Sequence, residues 1–276
     1  QRDGAGDRCL VDRRLQSAQP WGIVHASVTM SPPCGPAVLV TGGAVRIGRA
    51  ICETLAQAGM RVVIHHRASA RAASELADRL RKQGAEAWTL AADLADPAAL
   101  EPLLERAIEL AGPLDALVNN AAVFHKDGWG ALTAEALDSE LRVNLCAPVL
   151  LMQAFARRVR HGVIVNLLDR RIAGTDPSCV PYELSKKALA AATRSAALAW
   201  APAIRVNAVA PGAVLPPPGE GEQYLRDRAG RIPLGGPIPA EAVAEAVAFL
   251  IRARHITGQI LFVDGGQHLL GSDAGA

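Results

Sequence analysis

Tyr182 and Lys186 lie four residues apart, a spacing that places both side chains on one face of a helix. A phenol beside a fixed ammonium is easier to ionise, which suits it to proton transfer near neutral pH. Asp169 precedes that tyrosine and ends the apolar run Gly162 to Leu168, which reads as a buried strand. Ligands of open α/β sheets bind beyond the carboxyl ends of their strands. An acid, a phenol and an ammonium thus converge on one strand end, a set fitted to general acid–base chemistry.

The elements that must position them alternate along the chain. Ala37 to Thr41 is a short buried strand, Gly42 to Gly48 a glycine-bearing turn, and Arg49 to Gln57 an amphipathic helix stopped by Gly59. Arg61 to His66 is a second strand, Ser69 to Gln83 a helix capped by Gly84, and Ala87 to Ala92 a third strand ending in Asp93-Leu94. Asp96-Pro97 supplies the N-cap and first position of a helix reaching Ala111. Asp115 to Val118 is a fourth strand, ending in Asn119-Asn120-Ala121-Ala122-Val123-Phe124. A long helical region follows from Thr133 to Arg160; it contains Asn144, and Pro148 predicts a kink. After the fifth strand, a helix from about Cys179 to Trp200 carries Tyr182 and Lys186. Ile204 to Val209 is a sixth strand, leading through Pro211-Gly212 into a Pro/Gly-rich loop to about Pro237 that suits a mobile substrate lid. Pro239 to Ile251 is a last helix, and Gly258 to Val263 a seventh strand closed by Asp264-Gly265-Gly266. The pattern predicts one doubly wound parallel sheet, a Rossmann-type α/β domain with helices on both faces, over residues 36–272.

A strand, a glycine turn and a helix start form the context in which backbone N–H groups hold a pyrophosphate. Where such folds prefer NAD, an acidic residue commonly ends the second strand and binds the ribose hydroxyls. Here that strand ends His65-His66-Arg67, and Arg67 stands where a 2′-phosphate would lie. With Arg46 in the glycine turn, the site reads as one for NADP.

Composition excludes other classes. Half of the 276 residues are apolar, but no apolar run approaches the ~20 residues that span a bilayer. A net charge of +2 offers no electrostatic case for nucleic acid. Five cysteines without CxxC spacing favour reduced thiols and a cytoplasmic setting, and the seven histidines show no HExxH, so no metal is expected. Residues 1–35 differ in character, mixing Arg2, Arg8, Arg13 and Arg14 with Asp3, Asp7 and Asp12 without a period. They are expected to be a mobile or artificially appended tail, with Met30 a candidate natural start.

From about Ala37 to Leu270 the chain resembles the short-chain dehydrogenases/reductases. The landmarks are Thr41-Gly42 with Gly48, Asp93-Leu94, Asn119-Asn120-Ala121, Asn144, Tyr182-x-x-x-Lys186, Pro211-Gly212 and Asp264-Gly265-Gly266. Two departures point to a subgroup: Arg46 replaces the middle glycine of the family's TGxxxGxG turn, and Asp169 replaces the usual serine thirteen residues before the tyrosine. Both are similar to pteridine reductases, as are His65-x-Arg67 and the position of Phe124. A serine two residues before that phenylalanine, frequent in the subgroup, is here Ala122.

The resemblance implies NADPH as hydride source for a pterin C=N, with Tyr182 as proton donor and Lys186 binding the nicotinamide ribose and lowering the tyrosine's pKa. It implies Asp169 as the pterin-orienting acid of the relay and Asn144 as holder of a helix distortion and a water. It further implies cofactor contacts from Thr41, Gly42, Arg46, Ile47, Gly48, His66, Arg67, Asp93, Leu94, Asn120, Ala121, Pro211 and Gly212. Substrate contacts are expected from Arg46, Phe124, Asp169 and Tyr182, with Phe124 stacked on the pterin, and the family's usual assembly is a tetramer. Arg170 and Arg171 are read as surface or interface residues. An ionised Asp169 would repel an alkoxide, whereas a pterin offers N–H donors to it. The competing readings are a reductase of a carbonyl such as a 3-oxoacyl thioester, and a non-catalytic NADP-binding protein.

Overall fold

The structure is a computed structural model that describes residues 35–216 and 231–270, with residues 221, 223 and 225. The expectation for residues 1–35 lies outside the described residues save for Gly35, and much of the loop read as a lid does too.

Strand-forming runs rich in Val, Ile, Leu and Ala are buried on both faces, as a sheet flanked by helices requires. In the first strand, β1 (Ala37–Val40), every residue is buried. Val38 and Val40 join one apolar cluster, while Ala37 and Leu39 join the other, because successive side chains of a strand point to opposite faces. The first cluster is closed by helices α1 (Arg46–Gln57), α2 (Ala70–Lys82) and, near the other end of the chain, α7 (Ala240–Arg252). The second is closed by α3 (Leu100–Ala111), α5 (Ala147–Arg158) and α6 (Val180–Ala199).

The remaining strands are β2 (Arg61–His66), β3 (Ala87–Ala91), β4 (Ala116–Asn119), β5 (Gly162–Leu167), β6 (Ile204–Pro211) and β7 (Ile260–Val263). They form a seven-stranded sheet in the order β3-β2-β1-β4-β5-β6-β7, and every pairing is parallel. The order reverses between β1 and β4, which opens a crevice above their carboxyl ends. Across that gap Thr41 Oγ1 accepts from the backbone N–H of Asn120 at 3.0 Å and of Ala121 at 3.1 Å.

Three departures from the sequence expectation bear on the site. The first helix starts at Arg46, three residues earlier, and takes in Gly48 as its third residue. The helix expected from Pro97 begins as a tight turn over Pro97–Ala99, capped by Asp96 through Ala98 N–H at 2.9 Å. The long region from Thr133 is two helices, α4 (Ala134–Leu141) and α5, joined by a π turn over Arg142–Cys146. The break therefore lies before Pro148, in a turn containing Asn144. The physical reason is the missing N–H of Pro148, which cannot serve the Asn144 carbonyl four residues back. No described helix is long and apolar enough to cross a membrane.

Candidate active site

The crevice holds a cavity of about 420 Å³ lined by residues 42 and 44–48 of the glycine turn, 65–69 at the end of β2 and beyond it, Asp93-Leu94, residues 120–123, Val143 and Tyr182. The glycine turn is built tightly: Gly42 has φ +61°, and a Cβ on Gly48 would run into the Gly42 carbonyl and, at 2.6 Å, Asn120 Nδ2. Arg46 is the one described non-glycine residue with positive φ, +55°. His65, 2% exposed, fixes this turn from below. Its Nδ1 accepts from Gly42 N–H at 3.1 Å, its carbonyl accepts from Gly43 N–H at 2.9 Å, and Nε2 lies 3.1 Å from the Ala92 carbonyl. Those contacts define a neutral ring with its proton on Nε2. Burial pushes the His65 pKa down to about 4, against the pull of Ala92's carbonyl, with His66 adding to the depression.

At the helix start, Val45 contributes no side-chain cap and the first turn of α1 carries no acid. The positive end of that helix dipole, the glycine backbone, Arg46 and Arg67 give the cavity a floor suited to a polyanion. His66 Nδ1 is buried there with no hydrogen-bond partner. Among the described residues no cluster of His, Cys, Asp and Glu could hold a metal ion.

Not every residue expected at the cofactor faces this cavity. Thr41 is 1% exposed and its hydroxyl bridges β1 to β4, donating to the Val118 carbonyl at 3.3 Å besides its two acceptances. Pro211 closes β6 and Gly212 donates to the Val263 carbonyl at 3.0 Å; neither is among the lining residues. Arg46 does line the cavity, but its guanidinium donates to the carbonyls of Pro216 at 2.8 Å and Leu215 at 3.2 Å, holding the loop after β6. Asn120 lines it while donating to the carbonyls of Thr41 and Gly42 at 2.9 and 3.0 Å. Ile47, Gly48, His66, Arg67, Asp93, Leu94 and Ala121 lie at the lining.

Tyr182 stands at the inner end. Helix α6 carries it because residues 182, 185, 186, 189, 190 and 193 form its buried face. The helix is fixed beneath the site by a chain of buried amides: Asn119 Nδ2 donates to Asn166 Oδ1 and Asn166 Nδ2 to Thr193 Oγ1, both at 2.9 Å. Lys186 Nζ donates to the Leu167 carbonyl at 2.8 Å and lies 5.6 Å from the centre of the Tyr182 ring. The Tyr182 hydroxyl donates to Asp169 Oδ2 at 3.3 Å. Burial, and next the Asp169 carboxylate, push the phenol well above its ordinary range, with Arg171 opposing. This reverses the easier ionisation that the Tyr–Lys spacing predicts, since desolvation and a neighbouring anion outweigh the help of a cation. Burial also pushes the Lys186 ammonium down to about 8, against Asp169 and Glu140.

Asn144, wholly buried, clasps the backbone of Val123: its Oδ1 accepts from the N–H at 2.9 Å and its Nδ2 donates to the carbonyl at 2.8 Å. Its Nδ2 also lies 3.2 Å from Glu140 Oε2, a buried carboxylate that accepts from His125 N–H at 2.6 Å. The π turn thus positions the loop that carries Phe124. That ring, 43% exposed, meets Tyr182 edge-on at 4.8 Å and an interplanar angle of 81°.

Arg171 departs most from its sequence reading as a surface or interface residue. Its backbone N–H donates to Asp169 Oδ1 at 2.9 Å, its Nη1 lies 3.1–3.2 Å from both Asp169 oxygens, and its Nε donates to Asp176 Oδ2 at 2.8 Å. Its guanidinium carbon lies 5.6 Å from the centre of the Phe124 ring. The reason is local: Asp169 caps a tight turn over Arg170–Ala173, which folds the arginine back over the acid. The Asp-x-Arg spacing could have signalled it.

The family model described as enoyl-(acyl carrier protein) reductase matches residues 43–268. L-xylulose reductase of Bos taurus is 37% identical over 243 residues, covering 84% of this chain and 96% of its own. The 3-oxoacyl-[acyl-carrier-protein] reductase FabG of Staphylococcus aureus is 29% identical over 239 residues, covering 84% and 97%. Among solved structures, FolM alternative dihydrofolate reductase 1 of Brucella canis, complexed with NADP, is 38% identical with a TM-score of 0.81, covering 86% of this chain and 96% of that one.

Proposed function

The chain belongs to the short-chain dehydrogenase/reductase family, and from that premise we propose that it is an NADPH-dependent reductase of a pteridine. The observation that carries this reading is the pairing of Tyr182 with a carboxylate beneath an open aromatic ring: hydroxyl to Asp169 Oδ2 at 3.3 Å, with Phe124 edge-on at 4.8 Å. A flat heterocycle with N–H donors matches that pairing, and an aromatic wall adds roughly 0.5–1.5 kcal/mol beyond area burial. The resemblance to the NADP-complexed alternative dihydrofolate reductase supports it.

The residues present fit the cofactor. The glycine turn and α1 start suit a pyrophosphate, Arg67 suits a 2′-phosphate, and the orphaned His66 Nδ1 offers a buried polar contact. When bound, the cofactor supplies the hydride. Asp169 Oδ2 orients the heterocycle by accepting from its N–H groups. Tyr182, held protonated by burial and by Asp169, is the proton donor. Lys186, anchored on the Leu167 carbonyl, keeps a cation beneath the phenol, and Asn144 keeps the Val123–Phe124 backbone in place.

A carbonyl substrate is the second reading, and the 3-oxoacyl and xylulose reductases among the relatives support it. Arg171 also favours it, because a guanidinium against Asp169 reduces the repulsion that the carboxylate would exert on an alkoxide. Initial rates of NADPH oxidation with a 7,8-dihydropterin and with a 3-oxoacyl thioester separate the two. Reduction of the dihydropterin is expected; turnover of the thioester alone would overturn the pteridine reading.

A further inference from the structure

Four side chains at the substrate end close into a circuit. Tyr182 donates to Asp169, Asp169 is gripped by Arg171, the Arg171 guanidinium lies over Phe124, and Phe124 meets Tyr182 edge-on. Arg171 is the member that contacts both the acid and the phenyl ring without facing the reacting atoms through a hydrogen bond of its own. We propose that Arg171 is a positioning residue for the reaction, fixing Asp169 and the Phe124 wall so that only carboxylate oxygen Oδ2 faces Tyr182 and the substrate. This rests on the reductase reading above and goes beyond it in naming what aims the acid.

The geometry of the grip is specific. Oδ1 of Asp169 accepts from two donors of the same residue, the Arg171 backbone N–H at 2.9 Å and Nη1 at 3.2 Å, while Oδ2 has Nη1 at 3.1 Å and the tyrosine hydroxyl at 3.3 Å. Rotation of the carboxylate would break both contacts to Oδ1. The guanidinium is itself held from its far side by Asp176 through Nε at 2.8 Å. Asp176 is anchored in turn by the Ser178 N–H at 3.1 Å and hydroxyl at 2.6 Å. These groups are largely withdrawn from water, with side-chain exposures of 14% for Asp169, 24% for Arg171 and 28% for Asp176. Burial disfavours the Arg171 charge, but Asp169 and Asp176 outweigh it and hold the guanidinium firmly protonated.

The consequence is an acceptor whose charge is balanced locally. Asp169 can receive an N–H donor or the tyrosine hydroxyl without presenting an uncompensated charge to a substrate atom that gains electron density. A lysine keeps the charge but lacks the planar fork that spans two acids and covers a ring.

The test measures kcat, substrate KM and NADPH Kd for Arg171→Met and Arg171→Lys, each in the native background and with Asp169→Ser. Acceptors are a 7,8-dihydropterin, a 3-oxoacyl thioester and an ortho-quinone, the last a reactive hydride acceptor that needs no pterin recognition. R171M is expected to lower kcat roughly 10-fold or more with NADPH Kd nearly unchanged, R171K to recover part of the loss, and R171M to cost little once Asp169 is serine. If R171M fails to fold, R171K and Asp176→Asn, which removes the charge that holds Nε from the other side, carry the same comparison with smaller losses in kcat. Native kcat in these variants, or equal losses with and without Asp169, would overturn the proposal. Turnover of the thioester but not the dihydropterin would defeat the pteridine reading alone, and the Arg171 variants would still be decided on the acceptor that is used.

Discussion

The two ends of the crevice are built from different materials. At the β1–β4 switch point the work is done by backbone: a glycine at φ +61°, N–H groups at a helix start, and side chains such as Thr41 and Asn120 that brace the main chain. At the β5–α6 end it is done by side chains: a carboxylate, a guanidinium, a phenol and a phenyl ring brought together from a four-residue turn and its cap, a helix and the loop after β4. Backbone geometry admits few alternatives, so the first end can serve any member of a family. A side-chain circuit can be rewired one residue at a time, which is where substrate choice can diverge on a constant frame.

Substitutions that hit one end and spare the other break this comparison most sharply. Tyr182→Phe and Asp169→Ala should each lower kcat by ~10²-fold or more while NADPH binding, followed by quenching or transfer of protein fluorescence, stays near native. A matching loss of cofactor affinity would show that the two ends are not separable. A comparable effect, about 3 kcal/mol, is expected from acid acting on the backbone-built end. The His65 pKa is depressed to about 4, so folding stability from its neutral ring is fully present above about 6.5 and is lost as pH falls towards 4. Urea denaturation across that window should show the decline, and His65→Gln, which does not titrate, should flatten it; an unchanged slope would exonerate His65. The smallest effect should come from the rim. Arg67→Ala should reduce the preference for NADPH over NADH by roughly 10-fold, the worth of one charge-assisted hydrogen bond to phosphate, with kcat for NADPH little changed.

The same division explains what could be read from sequence. Strand runs such as Val62-Val63-Ile64 are so apolar, and glycine so narrowly suited to positive φ, that the sheet, its order of elements and the phosphate-type turn were legible. Tyr182 and Lys186 were legible because helical periodicity alone brings them together. Arg171 was not, since an arginine after a strand is ordinarily solvated, and only a turn tight enough for Asp169 to cap it reverses the side chain. Glu140 was hidden too: Pro148 signals a break in the helix, but not which side chain the π turn buries. The hydrogen bonds of Thr41 and Asn144 could not be read, because they go to distant backbone that spacing cannot reveal.

The hydroxyl of Thr41 closes its three bonds with partners seventy-seven to eighty residues further along the chain. Each strand of this all-parallel sheet likewise waits for an intervening helix before it meets the next. During synthesis the crevice therefore has no precursor: β1 and its glycine turn emerge early and remain half a site until β4 has been made and docked. Loop closure over such distances is slow compared with local helix formation. The nascent chain thus carries an unfinished dinucleotide cradle while the eighty residues after Thr41 are made.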